Sequence, residues 1–186
     1  SAEGVALALL AADAAVRSGA EGREETELIW TGPDVAAVPM RRTDQALLEV
    51  IRAARRTLLI VSFAVYRIPA VREAVLEALL RGVEVRICVE GDEAGVALSG
   101  YDVVDALGEE IRERAEVYIW PDEHRPRAAG GRTGVLHAKC AVADRTHLFV
   151  SSANLTEHAL SINLELGVLV QGGPLPGKVA DQFGRL

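Results

Sequence analysis

Apolar and polar positions along this chain follow first one period and then another, and the switches divide it into elements. Residues 3–17 are rich in Ala and Leu with helical character, and the polar, Gly-containing stretch that follows reads as a linker. The expected organisation is an N-terminal helical arm and linker over residues 1–26 and a single body over residues 27–186. The body opens with a short strand over residues 27–30. Ala46, Leu47, Val50, Ile51 and Ala54 then recur at i, i+1, i+4, i+5 and i+8, which predicts an amphipathic helix over residues 43–56 with Thr43 as its N-cap. The apolar run 57–63 follows as a buried strand.

Pro69 opens the next helix, where a missing N–H does no harm. Val71, Val75, Leu76, Leu79 and Leu80 form its inner face, and Gly82 ends it. A strand over 83–90, a Gly-rich bend, a helix near 101–114 and a strand over 116–120 come next, then a loop, strands near 135–143, 147–151 and 163–171, and a closing helix after Pro176. This order predicts an α/β fold: a mixed, largely parallel central sheet with helices on both faces. It shows no internal repeat or low-complexity tract.

Composition narrows the functional classes. Apolar residues make up 49% of the 186 positions, ample for a packed core. No window approaches the ~18 uninterrupted apolar residues of a membrane span, and the Ala/Leu-rich start lacks the basic flank of a secretory signal, so the expected address is the cytoplasm with no membrane partner. The net charge of −7 argues against a surface that grips polyanions everywhere. Any such contact is local, and the loop 121–134 gathers His124, Arg125, Arg127 and Arg132 for it. A second basic group, Arg41, Arg42, Arg52, Arg55 and Arg56, reads equally as a solvated helix face. Cys88 and Cys140 sit in apolar runs and read as small buried hydrophobes.

The chemistry concentrates near the C-terminus. His137 and Lys139 are two apart in a predicted strand and share a face. A histidine alone there is usually a satisfied core residue, but a neighbouring ammonium is costly to bury unless an anion compensates it. Ser151, Ser152 and Asn154 leave their strand into a turn, where hydroxyl, amide and backbone N–H groups can converge on a phosphate oxygen. Asn163 and Glu165 share a face of the last strand. Asp144, of opposite parity at a strand end, reads as structural support. One imidazole, one ammonium and several hydrogen-bonding groups suit an anionic tetrahedral centre, and they point to phosphoryl chemistry without a metal or other cofactor. His147 and His158 lack such companions and read as surface or packing residues. Neither a metal-ligand spacing nor a nucleophile elbow is present.

His137, Lys139, Asp144, Ser152 and Asn154, with Glu165 in the acidic position, resemble the signature of the phospholipase D superfamily, with Ser151 where the family has glycine. The resemblance extends over residues 43–186 and is to its small single-motif nucleases. More narrowly, Trp30-Thr31-Gly32-Pro33, the segment 62–66, the run 136–144 and the segments 152–156 and 163–167 are similar to the phospholipase D-like component of bacterial DISARM antiphage systems.

That resemblance implies a reaction in which one histidine attacks phosphorus and a second protonates the leaving oxygen. The chain holds one such motif, so a two-fold homodimer with His137 of each copy meeting across the axis is expected. Lys139 and Asn154 would bind the non-bridging oxygens, Glu165 would hold the imidazole, and Ser151, Asn163, Arg125, Arg127 and Arg132 would line the substrate path. The implied function is a metal-independent DNA nuclease favouring single strands. Its implied partners are a helicase, a companion subunit and a methyltransferase of the same defence system. A non-catalytic nucleic-acid-binding or assembly subunit and a phospholipid phosphodiesterase are the alternatives.

Overall fold

A computed structural model describes residues 23–33, 40–63, 68–90 and 108–186. The expected N-terminal helical arm falls almost wholly outside the described residues, as do the Gly-rich bend, residues 101–107 of the expected 101–114 helix, and residues 64–66. The elements run β1 (Glu25–Thr31), β2 (Arg41–Arg42), α1 (Thr43–Ala53), β3 (Thr57–Ser62), α2 (Pro69–Leu80), β4 (Glu84–Val89), α3 (Glu109–Arg114), β5 (Glu116–Ile119), β6 (Cys140–Ala143), β7 (His147–Ser151), α4 (Glu157–Ser161), β8 (Glu165–Gln171) and α5 (Leu175–Phe183).

The strands form one eight-stranded mixed sheet in the order β2-β1-β8-β7-β6-β3-β4-β5. Its parallel part is β3-β4-β5, with β1 and β2 parallel at the far edge. The β6-β7-β8 half and its junctions to β1 and β3 are antiparallel. Connection length explains the division. A helix links β3 to β4, as a parallel crossover requires, whereas a tight turn joins β6 to β7 and forces reversal.

Helices cover both faces. On one, Ala46, Leu47, Val50 and Ile51 of α1 pack with Ile29, Leu58, Ile87, Phe149 and Leu169, and Ala74, Val75 and Ala78 of α2 join the same core. On the other, Val179, Ala180 and Phe183 of α5 pack on Val61, Cys140, Val142, Leu148 and Val170. Burying so many aliphatic side chains, each contributing about 1.5–3 kcal/mol, fixes the sheet that carries the site.

Local chemistry departs from the sequence expectation in several places. Thr43 is the first helical residue and not the cap: Arg42 occupies that position without a side-chain capping bond, and the Thr43 hydroxyl is buried without a partner among the described residues. In α2 the buried residues are Ala74, Val75 and Ala78, with the expected Val71, Leu76 and Leu79 partly buried against the core, while Leu80 is exposed. Pro69 does stand in the first turn, and Gly82 (φ +82°) supplies the left-handed residue that stops the helix. The expected strand 135–143 is regular only from Cys140, so His137 and Lys139 precede the sheet edge. The short helix α4 has no counterpart in the expected elements. The Thr156 hydroxyl accepts from the Ala159 N–H at 3.2 Å and starts it.

Candidate phosphoryl-transfer site

The motif is assembled by the antiparallel half of the sheet. Asp144 and Arg145, in the β6–β7 turn, both have positive φ (50° and 61°), a shape normally reserved for Asn and Gly. The Asp144 carboxylate accordingly works on main chain: it accepts the N–H groups of Arg55 (2.7 Å), Arg56 (2.7 Å) and Thr57 (2.8 Å), tying the turn to the start of β3. Burial by itself raises this carboxyl, but the three donors outweigh it and hold its pKa below the ordinary value. The expected supporting role therefore has a concrete form.

Across β7 and β8, Ser151 faces Gly167. A Cβ on Gly167 would lie 2.3 Å from the Val150 carbonyl oxygen and 2.9 Å from the Ile29 side chain, so glycine is what allows β1, β8 and β7 to lie this close. The approach brings the start of β8 beside the end of β7. The Ser152 hydroxyl donates to Glu165 Oε2 and accepts the Leu166 N–H at 3.2 Å, and Asn163 Nδ2 donates to Glu165 Oε1 at 3.2 Å. Ser152, Asn163 and Glu165 thus form one linked group.

His137 and Lys139 both approach Phe63, although neither lies in a regular strand. The His137 ring sits 5.1 Å from the Phe63 ring, and Lys139 Nζ lies 5.6 Å from the same ring. The Lys139 ammonium donates to the His137 carbonyl at 2.8 Å. Lys139 is 7% exposed, and burial pushes its pKa down while the Glu165 carboxylate opposes that shift. A half-dehydrated ammonium of this kind is poised to bind an anion. Ala138, between His137 and Lys139, is exposed, whereas Cys140 is packed into the core.

Asn154 lies two residues beyond Ser152. Its Oδ1 is buried and has no hydrogen-bond partner among the described residues. An orphaned polar atom calls for an explanation, and a half-turn of the amide would aim two N–H donors at the same spot. Ser151, in the glycine slot, has no positive φ; it ends β7 in extended backbone, buried, with its hydroxyl accepting the Ala153 N–H at 3.0 Å. Its side chain is engaged within the protein and not with the substrate path.

The expected arginines separate. Arg125 is buried against Glu90 and is a structural residue, not a substrate contact; its guanidinium bonds the Trp120 and Gly134 carbonyls. Arg127 is exposed and paired with Asp122 at 2.6 Å, and Arg132 is exposed. Of the second basic group, Arg41 pairs with Glu27 and Glu49, and Arg42 with Asp44, which favours the solvated-face reading there. Glu165 holds Ser152 and Asn163, and among the described residues the His137 ring nitrogens have no hydrogen-bond partner. His147 is half-buried beside the Thr146 hydroxyl, and His158 is exposed on α4. Burial raises both thiols, Cys140 to about 12, so neither is a nucleophile. Among the described residues no group of three or more His, Cys, Asp and Glu is placed to hold a metal ion.

Two residues of the site were not anticipated. Phe63, which both motif side chains contact, and Glu90 stand at the ends of the parallel strands β3 and β4. The available signal was their position, since the carboxyl ends of parallel strands are where α/β sheets collect their sites.

Known proteins share the family and the fold of this chain. Residues 47–186 match the family described as cardiolipin synthase, PLD-like domain. The DISARM protein DrmC of Bacillus paralicheniformis is 29% identical over 156 residues, 83% of this chain, and the chain spans only 60% of that relative's length. NucT from Helicobacter pylori shares the fold with a TM-score of 0.68 at 17% identity, covering 88% of this chain and 95% of that one. Nuc from Salmonella typhimurium, a phospholipase D family member, gives 0.62 at 16% identity, covering 88% and 93%. The matched stretch holds every residue of the motif, and this chain belongs to the phospholipase D-like family.

Proposed function

We propose that this protein is a phosphodiesterase acting on DNA, with single strands favoured, as part of an antiphage defence system. The observation that carries the reading is the placement of His137 and Lys139 on one aromatic ring, with a burial-depressed ammonium and, in the same motif, the buried and unpartnered Asn154 Oδ1. In the proposed reaction the His137 imidazole of one copy attacks phosphorus, the P–O bond to the leaving group breaks, and His137 of a second copy gives its proton to the departing oxygen. Water then attacks the phosphohistidine and the second imidazole takes up a proton, restoring both rings. Lys139 and Asn154 stabilise the charge that grows on the non-bridging oxygens. Each chain brings one such imidazole, so the reading requires a homodimer. The DrmC likeness supports the defence setting, and with it a helicase, a companion subunit and a methyltransferase as partners. All steps are assigned to side chains of the two copies, and no metal or other cofactor is invoked.

One observation favours a lipid substrate instead. A cavity of about 730 Å³ opens beside His137 and Ala138, lined by apolar residues including Leu59, Leu136, Val142 and Phe183, and would take an acyl chain. Against it, aromatic residues are only 4% of the chain, few for docking on a lipid surface. The test is incubation with labelled single-stranded and duplex DNA in EDTA, beside phosphatidylcholine vesicles, with His137→Asn as control and a sizing column for the assembly. Cleavage of DNA by the wild type alone supports the nuclease. Vesicle hydrolysis alone would transfer the reading to lipids, and binding without cleavage to a non-catalytic assembly subunit.

A further inference from the structure

We infer that the buried Glu90–Arg125 pair is a positioning device for His137; this rests on the reading of His137 as the nucleophile. Glu90 directly follows β4, an interior strand between β3 and β5. Its side chain and that of Arg125 are 4% and 3% exposed. Glu90 Oε1 meets Arg125 Nη1 at 2.5 Å, and Oε2 accepts the Leu136 N–H at 2.5 Å. Arg125 donates from Nε and Nη2 to the Trp120 carbonyl (3.0 and 2.6 Å) and from Nη1 to the Gly134 carbonyl (3.3 Å), with its guanidinium 5.4 Å from the centre of the Trp120 ring.

These bonds fasten the end of β5, the loop after it and the peptide just before His137 to one carboxylate on the sheet. His137 needs that anchor because regular pairing stops at Cys140, which faces Val61 and Val150. On its C-terminal side it is held through Lys139, whose carbonyl accepts the Ser151 N–H at 3.2 Å and whose ammonium meets the His137 carbonyl. On its N-terminal side the Glu90–Leu136 bond plays the matching part. Stability alone is a weak reason for such a pair, since apolar residues of similar volume commonly replace a buried ion pair without loss. An apolar pair, however, cannot fix three separate backbone groups at once.

The test compares Glu90→Met with the double variant Glu90→Met/Arg125→Met. The single change strands a buried guanidinium and should lower the melting temperature; the double should recover most of that loss. The positioning role predicts that the double nevertheless keeps kcat on a labelled oligonucleotide roughly 10²-fold below wild type, with KM within about threefold, because a displacement near 1 Å is enough for that loss. The His137 ring signal, assigned by its disappearance in His137→Asn and displaced by the Phe63 ring current, should move toward its unfolded position in the heteronuclear NMR spectrum. A refolded double variant with wild-type kcat and an unmoved His137 signal overturns the inference. Should the wild type cleave nothing, the nuclease reading falls while the ring signal still decides the positioning role. If the double variant does not fold, the isosteric Glu90→Gln takes its place: a displaced His137 signal is expected, and an unmoved one overturns the inference.

Discussion

Replacing Asp144 by Asn separates an anchoring carboxylate from a chemical one. Asparagine tolerates the φ of 50° at this position and preserves volume, so strain does not confuse the result. Oδ1 takes two of the three N–H bonds, from Arg56 and Thr57, and an amide oxygen can keep both. Each loses its charge assistance, a difference of about 1 kcal/mol per bond. The Arg55 N–H, now on Oδ2, would face an NH₂ group, and that lost partner costs about 1 kcal/mol more because the backbone there is solvent-accessible. The sum is about 3 kcal/mol, or a melting temperature lower by roughly 6–12 °C for a chain of this size. Thermal unfolding by circular dichroism at pH 7 measures it. Asp144 has a depressed pKa, so its stabilisation is present above the unfolded carboxyl value and disappears as pH falls through the folded value, below 3.8. The gap between wild type and variant should therefore narrow at acid pH. Unchanged melting with lost cleavage would refute the anchoring argument and move Asp144 into the proton chemistry.

The remaining predictions concern the rest of the site. Gly167→Ala should destabilise the fold by about 3 kcal/mol or more, since a Cβ 2.3 Å from the Val150 carbonyl must push β7 from β8, and urea unfolding would reveal it. Oligonucleotide affinity should fall as pH rises through the lowered Lys139 value, at a pH below the ordinary 10.5, and Lys139→Met should remove that dependence; fluorescence anisotropy across pH 7–10 checks both. Phe63→Leu should lower kcat roughly 2- to 10-fold through loss of the contact to Lys139 and the freer His137 ring, with steady-state cleavage as the readout.

Much of this was legible in the sequence because period and punctuation are local. The strands β3, β4, β7 and β8 and the helix started by Pro69 and stopped by Gly82 all follow from spacing. What escaped depends on contacts distant in sequence. Arg125 looks like a free cation among loop residues, and only the fold reveals Glu90, 35 residues away, as its partner. Thr43 has the chemistry of a cap, but burial turns its hydroxyl inward. The antiparallel turn of the sheet at β6 is set by the brevity of residues 144–146, a signal present in the sequence but outweighed by the β-α-β order before it.

Because Asp144 hydrogen-bonds only peptide N–H groups of residues 55–57, and the Arg56 charge adds the least of the influences on its carboxylate, natural selection has little hold on which amino acids occupy those three places. A saturation library should find Arg55, Arg56 and Thr57 widely replaceable, with proline, which lacks the needed hydrogen, as the substitution they reject.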